Sequence, residues 1–213
     1  MSCSVFFRRC SLCRGLAITA MHLTCPLLFP HAQARRLVMA SNLKNQLTGG
    51  NRTSIGEAQA VIQDVLTSPN QLQEIYSLFF DDDPVVVMRS SYVAMKVAEV
   101  NPATVKPFKK SLLADLEKFK QQELRWHIPQ LLVHLPLVPT EKRKAYSIIM
   151  DWAETDRSKI VTYYALQAAA DFAETDPNLL EDFIPRLRTL NESGAKSVSN
   201  RCKKIAKQLK IKI

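Results

Sequence analysis

The sequence predicts an all-α protein, a short α-solenoid of about four helical hairpins, and three observations carry that prediction. One apolar pattern starts four times at intervals of 37 residues, at Val87, Leu124, Val161 and Val198. In each copy the residues four, seven, eight and eleven places further on are mostly apolar, and these offsets share one face of a helix. A fixed repeat of this length is typical of stacked-repeat proteins, in which each unit buries its apolar face against its neighbours.

The half of each unit that precedes this helix keeps the same phase. Its core offsets are apolar in nearly every copy, with Lys109 as the exception. Each unit is therefore expected to be a pair of helices, and Leu131 and Ala168 are expected to be fully buried in their second helices. The predicted hairpins cover residues 69–100, 101–138, 139–175 and 176–211.

Capping residues indicate where these helices begin. A short polar side chain before a proline predicts the start of a first helix, because the proline lacks the amide hydrogen that would be unpaired there. Such pairs stand at Ser68–Pro69, Asn101–Pro102 and Asp176–Pro177. The second helices are predicted to be capped by Asp82, Asp156 and Ser193.

Ahead of the hairpins, Ser54 and Glu57 have the spacing of a capping box, which predicts an N-terminal capping helix. The chain then divides into a leader at 1–38, a linker at 39–53 and a repeat domain at 54–211. No stretch alternates between apolar and polar residues as a half-buried strand would.

The leader contains no acidic residue and holds four of the five cysteines. Three interpretations stay open: a secretory signal cleaved after Ala34, an organelle transit segment, or an upstream extension with translation starting at Met39. Its apolar run is too short and too interrupted to cross a membrane. Cys10 and Cys13 have the spacing of half a zinc site, but no second half follows, so neither a metal nor a cofactor is predicted.

The second helices match a pattern that is common in one repeat family. Its form is V-R-x-x-A-x-x-A-L after an acidic residue or proline, and segments 82–89, 122–125 and 158–168 fit it. On these residues the repeat domain resembles the HEAT-repeat family and its armadillo relatives, in particular small bacterial HEAT-repeat proteins. The match departs at Arg89, one place late, and at Thr162, which replaces the basic residue. The resemblance implies a superhelical stack that holds another molecule.

Charge distribution disfavours nucleic acid as the partner of the stack. The net charge of +9 comes from the two ends, since residues 1–56 and 193–213 contain basic but no acidic residues. The section between them holds 15 basic and 20 acidic residues, which gives −5. A continuous phosphate-binding track along the body is therefore not expected. We expect a monomer in the cytoplasm, with an organelle as the alternative compartment.

In HEAT-like stacks the second helices line the concave surface, so the residues between core positions indicate what a partner would meet. Units two and three place aromatic, amide and imidazole groups there, which suit a protein or peptide. Trp126 and Tyr163 have packing between adjacent units as their alternative role. The predicted partner-binding residues are Arg89, Trp126, His127, Gln130, Tyr163, Tyr164 and Gln167.

Catalytic signatures are missing from the sequence. It has no G-x-S-x-G, no glycine-rich phosphate loop and no paired histidines with metal spacing. The sequence therefore favours a non-catalytic protein-binding scaffold. The alternatives are a nucleic-acid-binding or DNA-repair glycosylase-like HEAT protein and a pigment-attachment factor similar to HEAT-repeat lyases.

Overall fold

A computed structural model of the chain describes residues 43–193 and 195–213. All regular structure in these residues is α or 3₁₀ helix, and none of them lies in a β-strand. The all-α prediction is therefore confirmed for the described part of the chain. The predicted leader at 1–38, with Cys10, Cys13 and the candidate start at Met39, lies outside the described residues.

The helices follow the predicted hairpins. A helical turn at 43–47 precedes them. In chain order, the α-helices are α1 Ala58–Thr67, α2 Leu72–Ser77, α3 Pro84–Val100, α4 Pro102–Val105, α5 Lys109–Asp115, α6 Gln122–Leu132, α7 Pro139–Thr155, α8 Lys159–Glu174, α9 Pro177–Ser193 and α10 Lys196–Leu209. Short 3₁₀ turns extend the first helices of units one and two, at Pro69–Gln71, Leu78–Phe80, Lys106–Phe108 and Leu116–Lys118.

Helix packing follows chain order. Helix α1 contacts α3, α3 contacts α6, α6 contacts α8, and α8 contacts α10; we call these five helices the second-helix layer. The first helices α7 and α9 contact each other, and both also contact α8. Core residues come from both sets of helices, so each unit contributes to one continuous apolar core.

The predicted core phase is confirmed by burial. All the residues at the pattern's start and at offsets four, seven and eight are buried in each of the four second helices. Leu131 and Ala168 are 0% and 2% exposed, as expected. Cys202 takes the offset of an apolar residue and is likewise fully buried. Helical periodicity alone therefore located the interior of this part of the chain.

The helix starts differ in detail from the predicted caps. Asp83, rather than Asp82, caps α3 by accepting a hydrogen bond from the backbone N–H two residues on, at 2.8 Å. Asp156 precedes the N-cap of α8, Ser158, and accepts a hydrogen bond from its backbone N–H at 2.8 Å. Ser193 is the last residue of α9. An aspartate thus stabilises the turns before α3 and α8, whereas the N-cap of α10 is Ala195, which has no side-chain cap.

The predicted capping box at Ser54 and Glu57 does not form. Helix α1 begins at Ala58, and the side chain of Glu57 makes no capping hydrogen bond. The Ser54 hydroxyl instead accepts a hydrogen bond from the Gly56 N–H at 3.2 Å. Gly56 has a φ of +52°, a left-handed conformation that interrupts a helix at this point. The predicted helix itself is present, with its apolar face buried at Val61, Ile62 and Val65.

Residues 43–56 pack against the helices, although part of this segment is predicted to be a linker. Leu43 and Leu47 belong to the apolar core. Arg52 forms an ion pair with Glu123, a buried carboxylate at the start of α6. Burying two leucines contributes about 1.5–3 kcal/mol each to folding, so this segment is part of the folded unit.

Tyrosine hydroxyls link the first helices of neighbouring units. The Tyr146 hydroxyl on α7 donates a hydrogen bond to Asp182 on α9, with 2.7 Å between the oxygens. Burial and this bond together raise the pKa of the tyrosine. The same bond, with help from Arg186, lowers the pKa of Asp182. Tyr76 makes the equivalent contact with Asp115 between units one and two.

We expect Tyr146→Phe to lower the free energy of unfolding by about 1–2 kcal/mol, because it removes a half-buried bond to a carboxylate without changing the shape of the ring. Urea denaturation measures the effect. Tyr164→Phe, on the opposite layer, is the matched control and should change stability by less than about 0.5 kcal/mol. Equal losses in both variants would contradict a specific role for the link to α9.

Candidate partner-binding surface

Trp126 and Gln130 lie one turn apart on α6, and both side chains are half-buried. The indole packs against the apolar core and meets the His127 ring edge-on, with 5.5 Å between ring centroids. The Gln130 amide nitrogen donates a hydrogen bond to the Trp126 carbonyl at 2.7 Å. The amide is therefore held in place, and its oxygen is left as an acceptor at the surface of α6.

Tyr163 and Tyr164 provide the aromatic part of α8. Their rings are tilted by 79° with centroids 5.1 Å apart, and both are half-buried. The guanidinium of Arg201, from α10, lies over the Tyr163 ring at 4.1 Å from its centroid. This cation–π contact fixes the ring and joins units three and four on the same surface.

Gln167 is one turn beyond these rings, and its amide is already engaged. It donates to Asp171 at 2.6 Å and to Gln208 on α10 at 3.1 Å, and its oxygen accepts from Arg201. The carboxylate of Asp171 thus contacts an amide of this network. Gln167 therefore aligns α8 with α10, and a partner would meet it as part of a rigid network.

His127 lies inside the protein, with 7% of its surface exposed. Its Nδ1 is 2.8 Å from the Ser91 hydroxyl, which itself donates to the Met88 carbonyl at 2.9 Å. The Ser91 oxygen is then the acceptor of the histidine N–H, which corresponds to a neutral imidazole. Burial, reinforced by the charge of Lys96, lowers the pKa of His127 to about 3. The side chain holds α6 against α3.

Arg89 is also buried, with 3% exposure. Its guanidinium donates hydrogen bonds to the carbonyls of Leu47, Thr48 and Ser54 at 3.0, 3.1 and 2.9 Å. A Cβ added at Gly56 would approach this guanidinium to within 2.7 Å. Because Arg89 and His127 are buried, they expose little surface to a ligand. The five other predicted residues are half-buried and can contact a partner: Trp126, Gln130, Tyr163, Tyr164 and Gln167.

Two residues that were not predicted from the sequence, Tyr92 and Arg201, complete this surface, and Gln208 contacts it. Tyr92 on α3 is half-buried, with its ring 5.8 Å from that of His127. Arg201 and Gln208 come from α10 and contact the α8 side chains. Tyr92 could have been predicted from its position, because a residue five places after Val87 lies away from the core on the same helix. We call Tyr92, Trp126, Gln130, Tyr163, Tyr164, Gln167 and Arg201 the aromatic surface.

The described residues show neither a cluster of metal-binding side chains nor a reactive thiol. Among them, no group of three or more histidine, cysteine or acidic side chains is arranged to hold a metal ion. Burial raises the pKa of the Cys202 thiol to about 11, which makes it an inert core residue. The run of three aspartates before α3 is used for turn formation: Asp83 caps the helix, and Asp81 pairs with Lys44 at 2.7 Å.

Comparison of the chain with protein-family models, curated proteins and solved structures finds no match in any of the three. Within the described ranges, no helix is both long enough and apolar enough to cross a lipid bilayer. The aromatic surface must therefore be interpreted from its own chemistry.

Proposed function

We propose that this protein is a non-catalytic scaffold that binds a protein or peptide partner, and that its helix pairs form a short HEAT-like solenoid. The support is the repetition of one core pattern in four units, together with second helices that contact one another in chain order. In such a stack the second-helix layer forms the concave side. The proposal includes a monomer acting in the cytoplasm.

The observation that carries the proposal is the set of half-buried rings on adjacent second helices. Trp126 on α6 and Tyr163 and Tyr164 on α8 are partly exposed, and each ring has a fixed neighbour. Rigid aromatic side chains that are partly exposed supply most of the binding energy in protein interfaces, because they bury a large area with little loss of rotamer freedom. An extended or helical segment could lie across them.

Polar groups around these rings favour a protein partner. Gln130, Lys96 and the acidic residues Glu99 and Asp171 lie on the same three helices and provide both donors and acceptors. Lys96 is paired with Glu99 at 2.6 Å, and this bond raises the pKa of the lysine. A mixture of charges around aromatic anchors is typical of the polar rim of protein interfaces.

The test is a comparison of partners captured by the wild-type chain and by Trp126→Ala/Tyr163→Ala. We expect the double variant to recover at least about tenfold less partner than the wild type, since interface aromatics of this kind contribute about 2 kcal/mol or more each to binding. Its helical content, measured by circular dichroism, should stay largely unchanged. Ile160→Ala is the matched control, because Ile160 is an exposed apolar residue on α8 outside the aromatic surface.

Two results would contradict the proposal. Loss of helix in the double variant would show that the two rings are packing residues between units. Partners that bind the variant and the wild type equally would place binding elsewhere. Tight, salt-resistant binding to duplex DNA that depends on Trp126 would instead support the DNA-repair glycosylase-like alternative.

A further inference from the structure

Helix α10 carries a line of exposed lysines. Its apolar residues Val198, Cys202 and Ile205 are buried in the core. On the opposite face, exposed side chains recur at spacings of seven and four residues, which keeps them on one side of the helix, and a fourth follows three residues later at the left-handed C-cap. We call them the lysine stripe: Lys196, Lys203, Lys207 and Lys210. At about 1.5 Å per residue, the stripe is about 21 Å long.

Elsewhere in the fold some basic residues form ion pairs, whereas others, such as Lys106 and Lys144, do not form one with a described acidic side chain. On the earlier helices many lysines and arginines pair with an acid, as Arg125 does with Asp156 at 2.8 Å and Arg186 with Glu154 at 2.6 Å. No described acidic side chain forms an ion pair with the stripe, and residues 193–213 contain no acid at all. The positive potential of this face is therefore not neutralised within the described chain.

Helix stability explains only the C-terminal part of the arrangement, where Lys207 and Lys210 stand at the end that the helix dipole makes negative. Lys196 is the first residue of α10, where positive charge is unfavourable because the helix dipole is itself positive at that end. Lys203 and Lys207 are four residues apart and repel each other on the helix surface. A negatively charged partner outside this helix would relieve both effects.

We propose that the lysine stripe is a second binding surface, distinct from the aromatic surface, that takes the sugar–phosphate backbone of nucleic acid without reading its sequence. Lysine makes point-charge contacts with phosphates, and duplex DNA presents one negative charge for about every 1.7 Å of its axis. Ser197 and Asn200, exposed on the same helix, add side chains that commonly bond to phosphates. The acidic section at 57–192 disfavours an extension of this contact along the earlier helices.

Two other anionic partners fit the surface less well. A helix that lies in a membrane surface needs a free apolar face, and that of α10 is buried in the core. Protein interfaces are poor in lysine at their centre and rely on aromatic and arginine anchors. The nearest arginine, Arg201, is stacked on Tyr163, and the stripe itself contains no aromatic side chain. A membrane surface and an acidic polypeptide are therefore both compared with DNA in the experiment.

The experiment measures the binding of the full chain to two short labelled DNA duplexes of unrelated sequence by fluorescence anisotropy. Four phosphate contacts predict an affinity that falls about 150-fold between about 50 and 200 mM salt, equally for both duplexes. In Lys196→Gln/Lys203→Gln/Lys207→Gln only one contact remains, and the fall should shrink to about fourfold. The corresponding lysine-to-arginine triple keeps the charge and should keep the salt dependence.

The matched control is Lys106→Gln/Lys110→Gln/Lys144→Gln, which removes the same charge from exposed positions on other helices. It should retain the affinity and salt dependence of the wild type. If this control loses as much affinity for DNA as the stripe variant, the effect is due to net charge alone and the proposal is overturned. Unchanged binding by the stripe variant, or tighter binding to phosphatidylserine vesicles or to polyglutamate than to DNA, would also overturn it.

Discussion

Replacing Arg89 with methionine is expected to lower the free energy of unfolding by about 3–5 kcal/mol, since the change removes the charged donor of a buried hydrogen-bond cluster. Arg89 bonds to three carbonyls of the 43–56 segment, and its side chain lies close to Gly56. Without these bonds the three carbonyls need hydrogen bonds from water, and residues 43–56 lose their main polar attachment to α3. Leu47 would then be drawn out of the core with it.

Two measurements check this prediction. Chemical denaturation gives the loss of stability, and amide hydrogen exchange should show faster exchange in residues 43–56 while α7 and α8 stay protected. Arg89→Lys should recover only part of the loss, because an ammonium group cannot reproduce the planar fork of donors. Arg157→Met, at an exposed position, is the matched control and should be within about 0.5 kcal/mol of the wild type.

A different result would change the role of this residue. If Arg89→Met leaves both stability and exchange unchanged, the segment is held by its leucines alone. If stability falls but exchange rises evenly along the chain, Arg89 supports the core as a whole rather than attaching residues 43–56.

Periodicity predicted the helix pairs and the core, because which side of a helix is buried follows from backbone geometry. It could not predict what covers the remaining sides. Arg89, Trp126 and Tyr163 share one offset, yet only Arg89 is fully covered, since residues 43–56 lie over the start of α3. That contact joins residues 35 to 42 positions apart in the sequence. Non-local coverage of this kind leaves no trace in a local pattern.

In the candidate site too, helical offsets predicted which side chains are neighbours but not how deeply each is buried. Their positions relative to the core residues predicted that Tyr163, Tyr164 and Gln167 lie together, and in the structure they share one surface of α8. The same offsets predicted His127 at this surface, but its side chain on α6 turns toward α3 and meets Ser91. Tyr164 has the same offset on α8 and is only half-buried, so packing against α3, and not the offset, accounts for the burial of His127. The chemistry of the surface was therefore predictable, whereas the depth of each side chain was not.

His127 is expected to make the protein less stable in acid. Its folded pKa is about 3, mainly because burial disfavours the imidazolium, whereas an unfolded histidine titrates near pH 6.5. Between these values the unfolded chain binds the extra proton, so stability rises with pH and is lost as pH falls. The loss should be about 1.4 kcal/mol per pH unit, or about 2 kcal/mol between about pH 6.5 and pH 5.

In the window near pH 5 to 6.5 the paired carboxylates with lowered pKa, such as Asp115 and Asp182, remain ionised. Burial raises the pKa of Glu74, but Glu74 is common to the wild type and the histidine variants, so the difference between them isolates His127. Urea denaturation at several pH values should show a steep dependence for the wild type and a flat one for His127→Gln, whose amide can still bond to Ser91. His134→Gln removes an exposed imidazole and should keep the wild-type dependence. Parallel curves for the wild type and His127→Gln would mean that the imidazole is accessible to protons in the folded protein, and that α6 and α3 separate at this point.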